Sequence, residues 1–253
     1  MMFESWFSLP VGILIATVVS MVGIGGGVLW MPFFLIILKL KPDTAVVTSL
    51  MIQTAGMGSG TLAFWRKRQI DFRLMIFTLV VAIPGVGLGA YLTRMLAPAY
   101  LELILGCLTL MTALAFVSAQ QNYGEAGREH AEIKTARRYG WIIGSMAIAS
   151  GMLSVSIGEW LVPLMRSKLS LRMRAAVATS VAAVFGTCVL ALSFHGLMGA
   201  SVDLPSMLWA VPGVIIGGQI GPRIAGRIND RVLKELFIFL LTLIGIHLIY
   251  NSY

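Results

Sequence analysis

The sequence predicts an all-α polytopic membrane protein of two inverted repeats, each a broken or re-entrant helical hairpin followed by three transmembrane helices. Three observations carry this: long uncharged apolar runs, an internal duplication, and a loop-charge bias that changes sides between the copies. Apolar residues make up 58% of the 253 residues and charged residues only 12%, against roughly 25% in a soluble domain. Mean hydropathy is +0.88. Runs such as Leu74–Leu92, Met207–Ile220 and Leu236–Ile249 hold no Asp, Glu, Lys or Arg. The longest approach the ~20 residues that a helix needs to cross a bilayer.

The net charge of +8 is therefore no nucleic-acid footprint. Arg and Lys fall in short segments between apolar runs, as in cytoplasmic loops. The start of the chain, MMFESWFSLPVG, lacks the basic n-region of a signal peptide and is expected to be retained. Cys107 and Cys188 lie inside apolar runs, where small buried hydrophobes are expected and a disulfide is not.

The duplication is read at a constant offset of 131. Gly23–Leu50, GIGGGVLWMPFFLIILKLKPDTAVVTSL, aligns without a gap on Ser154–Val181, SVSIGEWLVPLMRSKLSLRMRAAVATSV. Identities include Gly27/Gly158, Pro32/Pro163, Thr48/Thr179 and Ser49/Ser180. Further on, IPGVGLGA from Ile83 echoes VPGVIIGG from Val211. The polar stretch QQNYGEAGREHAEIKTARR separates the copies. The chain thus divides into a first membrane repeat (1–119), a cytoplasmic linker (120–138) and a second membrane repeat (139–253). The linker, His130 included, reads as solvated surface.

Each half opens with an interrupted apolar segment, Pro10–Leu38 or Tyr139–Met165. These are long for one crossing and short of the ~40 residues that two would need. Each is either one broken, tilted helix or a hairpin with its small-residue tip near mid-membrane. Loop charge bears on the choice. Arg66, Lys67, Arg68 and Arg73 crowd a loop whose partner, Gly196–Leu204, has no Lys or Arg. Lys39–Asp43 is weakly basic, but its partner carries Arg166, Lys168, Arg172 and Arg174. Arg94 stands alone, whereas Arg223, Arg227, Arg231 and Lys234 fill the matching loop. Equivalent loops then lie on opposite sides, which requires an odd number of crossings per half. Hairpins plus three spans satisfy this.

Four glycines in GIGGG are costly inside a helix, at roughly 1 kcal/mol each. Bare backbone at membrane depth is tolerated where it is buried in protein or lines a wet cavity. A helix restarting after Gly25, Gly26 and Gly27 presents unpaired N–H groups suited to an anion. The second copy repeats the break at Ser154, Ser156 and Gly158. The bland alternative is close helix packing by small residues. Thr48/Ser49 and Thr179/Ser180 follow each break and can donate hydroxyls to the same anion, or can bond backbone carbonyls in their own helices. Gln53, one turn after Ser49, is a further candidate. Glu159 replaces Val28 of the first copy; it either caps the restarted helix or serves proton coupling or gating. His195 and His247 read as interfacial, and Pro84 and Pro212 as kinks beside small-residue packing surfaces.

GIGGGVLWMP with TAVVTSL, then GEWLVPLM with AAVATSV, resembles the sulfite exporter TauE/SafE family over nearly the whole chain. The resemblance implies a secondary transporter of sulfite, an organosulfonate or a related sulfur-containing anion, often outward. It places the family motif on Gly23, Gly25, Gly26, Gly27, Pro32, Thr48, Ser49, Gly158, Pro163, Thr179 and Ser180. The second break departs from the glycine-rich pattern, which marks Ser154, Ser156 and Glu159 as determinants of this branch.

The expectation is a multi-pass protein of the plasma (inner) membrane that moves a small anion by alternating access, with H+ as a possible coupling ion. A channel, or a carrier for a non-sulfur anion, is the alternative. GxxxxGK[ST], HExxH, GxSxG and a Cys/His cluster do not occur in the sequence, so neither ATP-driven nor enzymatic chemistry is expected, and no metal or cofactor. Symmetry within one chain lets a monomer hold a complete site.

Overall fold

The computed structural model describes residues 6–118, 127–224 and 230–251. Its helices in chain order are α1 (Ser8–Val22), α2 (Gly27–Pro32, continued by a π-helical turn over Phe33–Ile37), α3 (Pro42–Arg66), α4 (Phe72–Met95), α5 (Pro98–Ser118), α6 (Ile133–Arg138), α7 (Gly140–Leu153), α8 (Gly158–Ser167), α9 (Met173–Leu197), α10 (Leu204–Ile224) and α11 (Asp230–Asn251). Strand structure among the described residues is limited to one isolated bridge between Arg128 and Leu171. Helices α4, α9 and α10 are each long and apolar enough to cross a bilayer. The apolar stretches Pro98–Leu114 and Leu241–Tyr250 of α5 and α11 are shorter.

The offset of 131 reappears in the helix boundaries. Helix α1 ends at Val22 and α7 at Leu153; α2 begins at Gly27 and α8 at Gly158. Helices α3 and α9 are both 25 residues long and start at Pro42 and Met173. Left-handed backbone obeys the same offset: Gly23 and Ser154, Lys39 and Ser170, Arg68 and Gly199 all have positive φ. Four of these six are neither Gly nor Asn, types for which this conformation is disfavoured, so tertiary structure imposes the turns at both places in each pair.

Local chemistry explains the ends. Gly23 closes α1 at φ 80°, its N–H on the Val19 carbonyl, and Ser154 closes α7 at φ 59°, its N–H on the Ser150 carbonyl. Asp71 caps α4 by accepting from the N–H groups of Arg73 and Leu74. Asp203 precedes α10 and accepts from the Ser206 N–H at 3.1 Å.

Glycine contacts fix the helix directions. Gly213, Gly217 and Gly221 of α10 lie against Leu9, Ile13 and Thr17, so α1 and α10 run parallel. Gly56 and Gly60 of α3 meet Val214 and Gly218, so α3 is parallel to α10 as well. In a second group, Gly85 and Gly89 of α4 meet Gly144 and Ile148 of α7, while Gly87 meets Phe194 and Leu79 meets Gly186 of α9. Thus α4, α7 and α9 are mutually parallel. Helices α3 and α9 are antiparallel, with Gly58 on Phe185 and Gly60 on Val181. Because α1 and α3 point the same way, the chain reverses at the first break. Ser20 lies by Gly60, but Gly25 and Gly27 have returned to the level of Gln53. The second break reverses likewise between α7 and α9. Of the two alternatives for the interrupted segments, the helical hairpin is the one observed.

The molecule is apolar outside and polar at its centre. Leu14, Ile76, Val80, Leu88, Leu114 and Leu208 are exposed, while Thr48, Ser49, Gln53, Glu159, Thr179 and Ser180 are buried. That distribution fits lipid as solvent. Lys39, Lys41 and Arg94 sit at one end with the start of α3 and the close of α4. The other described Lys and Arg residues lie at the opposite end with the start of α4, the linker and the start of α9.

Several expectations change. His195 is buried, not interfacial, with Nε2 2.8 Å from the Gly151 carbonyl; the last carbonyls of a helix have no intrahelical donor, and the imidazole supplies one. Pro84 and Pro212 lie within α4 and α10, beside the small-residue packing surfaces expected of them. The neighbouring Gly85 and Gly213 press on the Gly144 and Leu9 carbonyls as small-residue packing requires. Of the linker, residues 120–126 lie outside the described residues, as does Arg227. In the remainder the side chains of residues 127–130, His130 included, are exposed as expected, but α6 forms and the backbone of Gly127–Ala131 docks on Asp71 and Ser170–Arg172.

Candidate functional site

The two breaks meet at the centre. A Cβ on Gly27 would overlap the Ser154 carbonyl oxygen, and one on Gly158 would stand 2.8 Å from the Gly23 oxygen. So the glycine that starts each second half-helix seats on the carbonyl that ends the other half's first helix. Gly25 is pressed against the Ser156 side chain in the same way. Gly26 faces inward on its own hairpin, toward Trp30. In this conformation these glycines serve close backbone packing.

Around them lies a buried polar network. Gln53 Nε2 donates to Ser154 Oγ at 2.6 Å, to the Ser154 carbonyl at 3.0 Å and to Ser49 Oγ at 3.2 Å. Ser154 Oγ donates to Ser49 Oγ at 2.9 Å. At the equivalent serine of α9, Ser180 Oγ donates to the Gly23 carbonyl at 2.6 Å. Ser156 Oγ accepts from the Gly158 N–H at 2.9 Å and so satisfies a donor at the start of α8. Gln53 Oε1 is buried without a partner, an acceptor held at the meeting point of the hairpins.

Thr48 and Thr179 do not join this network. Thr48 Oγ1 donates to the Thr44 carbonyl at 2.7 Å and accepts the Asp203 N–H at 3.0 Å; Thr179 Oγ1 accepts the Asp71 N–H at 2.9 Å. Each threonine thereby ties its helix to the capped start of α10 or α4. Nothing in the local sequence marks this cross-half contact. The caps themselves are legible, since Ile70-Asp71-Phe72 and Val202-Asp203-Leu204 both place an aspartate immediately before an apolar run.

Glu159, in the first turn of α8, is buried. Its Oε2 accepts from Thr112 Oγ1 of α5 at 3.0 Å, and its Oε1 has no partner. Thr112 had no sequence signal, because its role arises only from α5 crossing the second hairpin.

A cavity of about 830 Å3 opens at the end that carries few cations. Lys41, Asp43, Thr93, Arg94, His195 and Ser201 are among its walls. Two wall residues reach the end of α7: Thr93 Oγ1 donates to the Met152 carbonyl at 2.8 Å, and His195 holds that of Gly151. Two hydrogen bonds thus link the cavity wall to the last turn of α7, just before Ser154. Among the described residues there is no group of three or more His, Cys, Asp or Glu able to hold a metal ion.

Comparison with known proteins identifies the family. The family model for the sulfite exporter TauE/SafE matches residues 8–248. The "Probable membrane transporter protein YunE" of Bacillus subtilis (strain 168) is 22% identical over 95% of this chain and 96% of its own length. The "Probable membrane transporter protein YjnA" of the same organism is 24% identical over 90% and 94%. No solved structure matches. A family match over nearly the whole chain, on a helical fold with lipid-suited surfaces and paired breaks, means that the protein belongs to the sulfite exporter TauE/SafE family.

Proposed function

We propose that the protein is a secondary transporter of a small sulfur-containing anion, sulfite or an organosulfonate, exported across the plasma (inner) membrane by alternating access. The observation that carries this reading is the meeting of two hairpin tips in a buried hydrogen-bonded network of Ser49, Gln53 and Ser154, with the end of α7 before Ser154 tied by Thr93 and His195 to the wall of a cavity. Hydroxyls and an amide can bind an oxygen-rich anion without the cost of burying a fixed counter-charge. The opposite helix directions of α1 and α7, α3 and α9, and their partners support an inverted repeat, residues 1–119 against 139–253. Its hairpins are then re-entrant. The basic end is the cytoplasmic side, linker 120–138 included, so the cavity faces outward.

In the conformation described, the tips pack against each other. Substrate enters between them when the Gly25–Ser156 contact opens, and Ser49, Ser154 and Ser180 then exchange internal hydrogen bonds for bonds to the anion. Glu159 couples this movement to H+ from its place at the start of α8, where Thr112 holds one oxygen and leaves the other free.

The test is uptake of labelled sulfite into proteoliposomes under imposed pH gradients, with sulfonates and sulfate as competitors. Saturable uptake that responds to the gradient, and loses the response in Glu159→Gln, is expected. Flux that scales linearly with concentration and shows no counterflow would indicate a channel. Folded, inserted protein that moves no sulfur anion would remove sulfite from the reading.

A further inference from the structure

We propose that the linker segment Gly127–Glu132 is the cytoplasmic gate, a clasp that shuts the basic face and holds the molecule open to the other side. The inference rests on the transport reading above and names how its access is regulated. Its starting point is an asymmetry between two otherwise matching ends. Lys41, Pro42, Asp43 and Ser201 wall the outer cavity. Shifted by the repeat offset, these positions correspond to Arg172, Met173, Arg174 and Ile70 at the basic end. There the linker sits instead.

Five hydrogen bonds hold it. Arg128 N donates to the Ser170 carbonyl and Arg172 N to the Arg128 carbonyl, both at 2.8 Å. Arg172 Nε donates to the Gly127 carbonyl at 3.0 Å, and its Nη1 pairs with Glu129 Oε1 at 2.9 Å. Ala131 N donates to Asp71 Oδ2 at 2.8 Å. Asp71 is the pivot, since the same carboxylate caps α4 and its N–H is held by Thr179 of α9. Its counterpart Asp203 makes the two matching contacts, with Ser206 and Thr48. The linker thus joins α4, α9 and the turn before α9 at one face, and among the described residues no segment makes the equivalent contacts at the other.

Alternating access between pseudo-symmetric halves exchanges the conformations of the two ends. The inward-open state therefore needs a basic-end cavity where the linker now lies, and the clasp must release for it to form. Gly127 sets the geometry of the clasp. Its φ of +141° favours glycine, and a Cβ there would meet Arg172 N and Leu171 C at 2.8 Å.

The experiment uses the full chain in proteoliposomes with Cys107→Ser as background. Glu129→Cys with Arg172→Cys is bridged by a short bis-thiosulfonate that reductant cleaves. Expected is a loss of labelled-sulfite flux of roughly tenfold or more, restored by reductant; undiminished flux in the bridged protein overturns the gate. Separately, Gly127→Val and the milder Glu129→Ala are combined with Ile70→Cys, whose position is now buried, and probed with an impermeant maleimide. Labelling from the basic face is expected to rise severalfold, more in Gly127→Val, and labelling of Ala200→Cys in the cavity to fall. Unchanged labelling in both variants overturns the gate. Labelling that changes as expected in a protein that moves no sulfite keeps the gate and removes sulfite as the cargo instead.

Discussion

Gly23 and Ser154 end their helices in the same left-handed conformation, and each carbonyl oxygen receives the helix-starting glycine of the other half. The contact is backbone against backbone, so a methyl group at either glycine has nowhere to go. Gly27→Ala and Gly158→Ala are expected to destabilise the protein by about 1–3 kcal/mol, the usual cost of overpacking. Gly196→Ala, with no neighbour within 4 Å of its Cβ position, is the control and should be neutral or slightly stabilising. Thermal unfolding in detergent ranks the three. Equal stability of Gly27→Ala and Gly196→Ala would remove the tip contact as a structural constraint.

Gln53 separates packing from binding. Gln53→Leu keeps the volume but strips the Ser154 carbonyl of a donor, at about 1–3 kcal/mol for a buried acceptor left unpaired. Gln53→Glu instead sets an acid beside Ser49 and Ser154. On the anion-site reading, Gln53→Glu abolishes sulfite uptake, while Gln53→Leu folds less stably yet keeps measurable uptake. Wild-type uptake in Gln53→Glu would move the binding site elsewhere.

The paired Thr-Ser motifs split into two roles, which mutation can distinguish. Thr48→Val and Thr179→Val each orphan the N–H of a capping aspartate, Asp203 or Asp71. Each should lower stability by about 1–3 kcal/mol and leave KM for sulfite unchanged. Ser49→Ala and Ser154→Ala should raise KM with a smaller effect on stability. The two threonine effects should add, because the contacts lie in separate places. A KM change in Thr48→Val equal to that in Ser49→Ala would return the threonine to the binding network.

How much of this was legible follows from what each residue depends on. The breaks at Gly23–Gly27 and Ser154–Gly158 were readable because glycine and serine runs contradict helix propensity locally, and the offset of 131 doubled the signal. The caps Asp71 and Asp203 follow from the same local chemistry. Lys and Arg gather in the turns because they are expelled from lipid wherever the helices go, so the positions of the turns are readable from charge. Thr179 bonding Asp71, Thr112 bonding Glu159 and His195 bonding Gly151 join residues far apart in the chain, and no periodicity encodes such pairings. The linker is legible only in its side chains. A charged, glycine-containing stretch reads as solvated, yet its backbone groups pair with Ser170, Arg172 and Asp71 while its side chains stay largely in water.

The outer cavity should act through its charge. Lys41 and Arg94 stand on its walls with Asp43, and the Arg94 guanidinium also donates to the Met198 carbonyl. On the transport reading, an anion approaching from this face is drawn by the two cations and opposed by the carboxylate. Lys41→Gln should slow initial sulfite uptake by roughly two- to tenfold at low ionic strength. Asp43→Asn should accelerate it, since it removes an opposing charge while the amide oxygen can still accept the Thr44 N–H. Both effects should shrink at about 1 M salt, where the screening length falls to about 3 Å. Initial rates at two ionic strengths measure this. Effects of the same size at both would mean that the residues act by contact rather than by field, and the same sign for both variants would rule out an electrostatic mouth.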